Sequence, residues 1–176
     1  MIAANAGFVI ELAVLGVLSD GPERPDAVVR HVQAVCRPWL APTGCVVHDR
    51  LVVALEVGTL ARDAGDRVGL TDAGRARLRA LLTGGSEGVG HGLLPLVETL
   101  KLALADQLDM AGRKRLLDEL VALRTRCLNA QAPVDADEPA LLRRCGERRR
   151  RAAALAHRAL ARELLGHDGG DVAAVP

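Results

Sequence analysis

The stretch LVVALEVGTLARDAGDRVGLTDAGRARLRALL, residues 51–82, changes its hydrophobic spacing twice. Its first part continues a helical stripe that begins at Val47. Two short alternating stretches follow at 59–63 and 67–70, and they are joined by the turn-forming residues 64–66. This change of period predicts a helix that leads into a two-stranded β-hairpin.

The residues after the hairpin predict the start of another helix. Thr71 offers a hydroxyl cap, Asp72 places an acid in the first turn, and Gly74 allows close packing. Leu70 anchors the returning strand. The apolar stripe of this helix is predicted to contain Ala73, Leu78, Leu81 and Leu82.

Three helices are predicted before the hairpin. The first is centred on residues 8–18 and ends at Ser19-Asp20-Gly21-Pro22. The second starts at Pro25, where a missing N–H costs nothing, and is closed by Pro38. The third follows a turn at 41–44 in which Thr43 is a candidate cap. Three helices, a hairpin and a further helix are the order of a winged helix-turn-helix domain, assigned to residues 1–82.

The rest of the chain is predicted to be helical. Residues 83–92, TGGSEGVGHG, indicate a Gly-rich linker and lack the Gly-Lys-Ser/Thr ending of a phosphate-binding loop. A C-terminal helical dimerisation domain is assigned to residues 93–166. Its predicted helices are 93–108, 113–130 and 140–165, and the last residues, 167–176, are predicted to be a disordered tail.

Two stretches resemble the PadR family of bacterial transcription regulators. Residues 11–22, ELAVLGVLSDGP, resemble that family's first helix and turn, and residues 51–82 resemble its third helix, wing and following helix. The closest match is RVGLTDAGRARL at 67–78. The resemblance implies a mostly α fold and a homodimer paired through the C-terminal helices. It also implies regulation of transcription through a palindromic double-stranded DNA operator, which an effector acting on the pairing domain would modulate.

Four residues are predicted to contact DNA. His48 and Arg50 lie in the third helix and are candidates for base contacts, whereas Arg62 and Arg67 lie in the wing and are candidates for phosphate contacts. The alternative is that all four are ordinary solvated side chains.

A second hypothesis is that the winged-helix domain has lost DNA binding and serves as a protein-interaction or scaffold module. Residues 1–82 hold nine Arg, no Lys and nine acids, so they lack the basic excess usual in DNA-binding domains. The predicted outer face of the third helix carries one arginine, two acids and two valines, namely Val46, Asp49, Arg50, Val53 and Glu56. Exposed apolar surface of this kind often marks a partner site.

The amino-acid composition also limits which other binding partners are expected. Aromatic residues make up only 1% of the chain, so single-stranded nucleic acid, which stacks on aromatic side chains, is not expected. The same scarcity favours an aliphatic pocket for a small apolar effector, or a protein partner, over a site for a planar ligand. No apolar run is long enough to span a membrane, and the apolar start is interpreted as a buried helix instead of a signal peptide. A cytoplasmic protein without a membrane partner is therefore expected.

Neither a metal nor an organic cofactor is predicted. His31, Cys36, Cys45 and His48 are a conceivable zinc set, but their spacing matches no common zinc pattern. The four cysteines, at 36, 45, 127 and 145, are predicted to be reduced, with Cys127 and Cys145 packed in helix stripes.

Catalysis is not expected either, because the sequence offers no paired carboxylates, activated nucleophile or oxyanion loop. His91 stands alone in the linker, and the basic run at 148–151 is interpreted as solvated or ion-paired between subunits because it spans all faces of a helix.

Overall fold

The computed structural model describes residues 2–37, 39–84, 86, 88–129, 159 and 162. Short 3-10 turns lie at 18–20, 91–93 and 105–107. The main elements are the helices and strands α1 (Ile2–Val17), α2 (Pro25–Cys36), α3 (Gly44–Glu56), β1 (Leu60–Arg62), β2 (Val68–Leu70), α4 (Asp72–Leu82), α5 (Leu94–Ala103) and α6 (Met110–Asn129).

Helix α1 lies at the centre of the molecule and is apolar nearly all round. It packs against α2, α3, α4 and α5. Its buried side chains belong to one continuous aliphatic core and are Val9, Ile10, Leu12, Ala13, Val14 and Leu15. A helix surrounded on several sides buries its whole circumference, which explains why the sequence shows no polar face here.

The first half of the chain is a winged helix-turn-helix, as predicted. Helices α1, α2 and α3 pack on one another, and the antiparallel strands β1 and β2 pair Leu60 with Leu70. Glu23 forms an additional antiparallel bridge with Val68, so the turn after α1 is joined to the hairpin. This bridge ties the wing to the helices.

The junction between β2 and α4 follows the predicted capping pattern. The Thr71 hydroxyl accepts a hydrogen bond from the Gly74 N–H at 3.1 Å and donates one to the Gly58 carbonyl at 2.7 Å. Gly74 is buried so closely that a Cβ on it would lie 2.0 Å from the Thr59 carbonyl oxygen. Ala73, which was predicted to belong to the buried stripe of α4, is instead exposed, because Gly74 occupies the inward position.

A buried ion pair connects the segment after α4 to the second half. Lys101 of α5 is fully buried and pairs with Glu119 of α6. Its Nζ also donates to the Gly84 carbonyl at 3.0 Å, while Glu119 accepts a hydrogen bond from the Ser86 N–H at 3.3 Å. Residues 84 and 86 are thus fixed to α5 and α6. The division of the chain into two domains with a linker at 83–92 remains a prediction.

The helices after the Gly-rich segment differ in extent from the prediction. The helix expected over 93–108 ends at Ala103. Leu104 leaves helical geometry, with φ −104° and ψ 11°, and its side chain lies against Gly16 of α1.

The helix expected from 113 starts earlier, at Met110. The Asp109 carboxylate accepts the Gly112 N–H at 2.7 Å and so satisfies an N-terminal donor of this helix.

Several predictions fall on residues that are not described. The helix at 140–165, the basic run at 148–151, the tail at 167–176 and Cys145 lie outside the described residues, apart from helical backbone at 159 and 162, and so does the side chain of Cys127. Among the helices that the structure does describe, none combines the length and apolarity needed to cross a membrane.

Replacing Gly74 with alanine is expected to destabilise the protein by about 1–3 kcal/mol, the usual cost of forcing atoms into a filled site. The added methyl group would collide with backbone, which cannot rotate away as a side chain can. Urea unfolding measures the loss. Gly92→Ala is the matched control, since a Cβ there meets nothing within 4 Å. Equal stability of the two variants would contradict the close packing.

Removing one partner of the buried pair is expected to lower the free energy of unfolding more than removing both partners. Lys101→Met leaves the Glu119 carboxylate without its cation and is expected to cost about 3–5 kcal/mol, whereas Lys101→Met/Glu119→Leu recovers part of that loss. Urea unfolding of both variants and of Glu119→Leu completes a double-mutant cycle. Simple additivity in this cycle would show that the two charges do not depend on each other.

Candidate nucleic-acid interface

Helix α3 uses one stripe for the core. Val47 and Leu51 are buried, and Ala54 and Leu55 are half-buried beside them. Thr43 occupies the N-cap position in an extended conformation, but its side chain makes no capping hydrogen bond, and its hydroxyl lies 3.0 Å from the Cys45 thiol instead. The stripe orients α3 and leaves the rest of its circumference exposed.

The exposed face opposite this stripe carries carboxylates and valines. At roughly 100° per residue, Asp49, Val53 and Glu56 point away from Val47 and Leu51. All three are exposed, as expected from the sequence. The side of α3 that a major groove would meet therefore presents negative and apolar groups.

Arg50 does not lie on that opposite face. Its guanidinium lies against Gly7 of α1, so closely that a Cβ on Gly7 would be 2.4 Å from the Arg50 Nη2 atom. His48 is also exposed, but two residues along a helix correspond to about 200°, so it lies on the other flank of α3. The structure therefore does not bring these two predicted base-contacting residues together.

A groove between α1, α3 and α4 lies beside Arg50. Its volume is about 350 Å³, and its lining includes Val53 and Val57 of the α3 end together with Glu11 and Arg77. Arg77 donates two hydrogen bonds to the Glu11 carboxylate, at 2.7 and 3.0 Å. These bonds raise the pKa of the Arg77 guanidinium.

Sequence reasoning missed this groove and its ion pair. Glu11 and Arg77 are 66 residues apart, and neither belongs to a motif that would connect them. Only the packing of α4 against α1 places them side by side.

The two arginines of the wing are exposed, and each binds another group of the protein. Arg62 forms an ion pair with Asp66, and the Arg67 Nη2 atom donates to the Pro22 carbonyl at 2.6 Å. The hairpin turn itself is stabilised by Asp63, whose carboxylate accepts the N–H groups of Gly65 at 2.8 Å and Arg67 at 2.9 Å. Because exposed ion pairs are worth at most about 1 kcal/mol, a phosphate can compete for Arg62.

The conceivable zinc set is dispersed. Cys36 is buried in the core, whereas Cys45 and His48 are exposed on α3. His31 lines a separate surface groove of about 640 Å³ beside the turn after α1. Among the described residues, no three His, Cys, Asp or Glu side chains are grouped so that they can hold a metal ion.

Comparison with known proteins gives similarity to solved structures. No family model and no curated protein match this chain. Among solved structures, the crystal structure of Bacillus subtilis PadR is similar over 88% of this chain and 94% of that chain, with 17% sequence identity and a TM-score of 0.42. Such a distant similarity carries no argument about function. The winged-helix assignment therefore stands on the element order and packing described above.

The two described thiols are expected to differ sharply in reactivity. Burial raises the pKa of the Cys36 thiol to about 11, and thiolate is the reactive form, whereas Cys45 is exposed. At pH 8, iodoacetamide should modify the Cys45 peptide fully before the Cys36 peptide reacts, as followed by peptide mass spectrometry. Unfolding in urea should equalise the two rates. Rapid labelling of Cys36 in the native protein would place it outside the core.

Proposed function

We propose that this chain is a DNA-binding transcriptional regulator of the PadR-like type, which acts as a homodimer on a palindromic operator. The observation that carries the proposal is the exposed α3 followed directly by an exposed wing. Val47 and Leu51 hold α3 on the core, and Arg62 and Arg67 lie on the wing. In winged-helix DNA binding, the third helix enters the major groove and basic side chains position the protein on phosphates.

The proposal assigns phosphate contacts to the wing and a flanking contact to Arg50. Arg62 needs to leave only an exposed ion pair with Asp66, and Arg67 needs to exchange one backbone acceptor for a phosphate oxygen. His48 approaches DNA from the opposite flank of α3.

The outer face of α3 limits the bases that the protein can read. Carboxylates such as Asp49 and Glu56 accept hydrogen bonds from the cytosine N4 amino group, and an apolar side chain such as Val53 suits the thymine methyl group. Neither group attracts phosphate. The proposed operator contacts are therefore pyrimidine-directed, while most of the affinity comes from the arginines.

The dimer is proposed to form through the helices after Leu93. A two-fold symmetric pair would set two copies of α3 about one turn of DNA apart, which is the geometry that a palindrome requires. Exposed Met110 at the start of α6 is one apolar group available to such an interface.

A second candidate function is a protein-interaction module without DNA binding. Four of the seven large apolar side chains that are exposed among the described residues lie on α3 or directly after it, and they are Val46, Val52, Val53 and Val57. A cluster of this kind favours a protein surface over a phosphate backbone. Binding of duplex DNA separates the two candidates.

The first test measures binding to a pool of random duplex DNA by fluorescence anisotropy at about 50 and 200 mM salt. The wild type is expected to bind with a strong salt dependence, and Arg62→Ala/Arg67→Ala to bind more weakly. Since each phosphate contact contributes about 0.9 to the slope of log affinity against log salt, the variant slope should fall by about 2.

Lys114→Ala/Arg115→Ala is the matched control. It removes the same charge from the exposed side of α6, outside the winged domain, and should bind as the wild type does. Light scattering on the same samples should give twice the chain mass of 18.6 kDa. Absence of DNA binding at the lower salt concentration would refute the regulator and favour the interaction module, and equal losses in both double variants would show that the wing is not the contact.

A further inference from the structure

We propose that the groove between α1, α3 and α4 binds a small aliphatic carboxylate, with Arg50 holding the carboxylate group. The proposal concerns a ligand site within the winged domain and needs no DNA. The groove volume of about 350 Å³ falls within the range of about 300–1,000 Å³ typical of small-molecule sites.

The charges in the groove select an anion. Arg50, Arg77 and Glu11 are the charged side chains that line it, which gives a net charge of +1. Glu11 is engaged by Arg77 through two hydrogen bonds, so its carboxylate is already neutralised. Among the residues whose side chains the structure describes, none forms a hydrogen bond or ion pair with Arg50, and its guanidinium lies against Gly7. The planar fork of a guanidinium can bind a carboxylate through two parallel hydrogen bonds.

The walls of the groove select an aliphatic tail. The apolar lining consists of Val14 and Leu15 of α1 and Val53, Ala54 and Val57 of the α3 end, with no aromatic side chain. The side chains of Val53 and Val57 are 46% and 66% exposed, so covering them removes apolar surface from water. The Thr59 hydroxyl, which also lines the groove, already donates to the Ala54 carbonyl at 3.0 Å. A polar tail would therefore find few partners along these walls.

The position of the Arg50 guanidinium depends on the absence of a side chain at Gly7. Any side chain at position 7 would occupy the space of the Arg50 guanidinium, since a Cβ would come within 2.4 Å of Nη2. The glycine thus leaves room for the guanidinium of Arg50, which lines the groove.

Regulation follows if Arg50 also contacts DNA, and this step rests on the proposed function. A carboxylate on Arg50 neutralises a cation that the proposal assigns to a flanking DNA contact. The ligand and DNA would then compete for one guanidinium, and the ligand would weaken DNA binding.

The test uses octanoate as the probe and measures binding to the full chain without DNA by isothermal titration calorimetry. Octanoate is expected to bind at one site per chain, and octanol, which has a similar tail without the charge, at least about tenfold more weakly. Butanoate, with the same charge and a shorter tail, should also bind more weakly.

Two pairs of variants locate the site. Arg50→Gln should reduce octanoate affinity at least about tenfold and remove the preference over octanol, whereas Arg79→Gln, which removes an exposed arginine outside the groove, should not. Val53→Thr should weaken binding, whereas Val35→Thr, at 41% exposure on α2, should not. Circular dichroism verifies that each variant is folded.

Three results would overturn the site: no saturable binding of octanoate, equal binding of octanoate and octanol, or an Arg50→Gln variant that binds octanoate like the wild type. Because DNA is absent, these results are independent of the proposed function. Octanoate binding together with no DNA binding would support the site and refute the regulator.

Discussion

The burial of α1 is the constraint on which the rest of the structure depends. This helix supplies the surface against which α2, α3 and α4 pack in the winged domain, and α5 packs on it from the second half. Each fully buried Leu or Val contributes about 1.5–3 kcal/mol, so the run from Val9 to Leu15 is a large share of the core. Since Phe8 is the one aromatic side chain that the described residues pack against this core, the aliphatic surfaces must interlock closely, and small residues such as Gly16 and Gly74 permit this approach.

Close packing also explains how the polar connections are arranged. The Thr71 hydroxyl and Gly74 hold the wing against the start of α4, where a larger residue would meet the Thr59 carbonyl. The Lys101–Glu119 pair fixes the Gly84 carbonyl and the Ser86 N–H through one hydrogen bond each. Buried charges of this kind are weak evidence for stability in themselves, because their desolvation offsets much of their attraction. Here the pair holds residues 84 and 86 against α5 and α6.

The sequence predicts the fold well where local signals agree. Helical period, turn residues and the Thr71 cap all indicated the order of α1 to α4, and the hairpin formed within the predicted strands. The prediction was wrong where a tertiary contact decides a boundary, as at Leu104, which leaves the helix and packs against Gly16. The candidate site was less predictable. A helical wheel places Asp49, Val53 and Glu56 outside, but the contact of Arg50 with Gly7 and the pairing of Glu11 with Arg77 arise only when α1, α3 and α4 come together.

The buried and the exposed faces of α3 have different roles. Val47 and Leu51 are buried in the core, so they carry information about the fold and none about a ligand. The exposed side chains of α3 do not pack in the core. They include carboxylates and valines, and the Arg50 side chain lies against α1. A protein that bound DNA through phosphate attraction alone would have no use for Asp49 or Glu56, since each opposes that attraction. In the two proposed functions, these side chains would either read bases within a complex held by the wing or contact a protein surface.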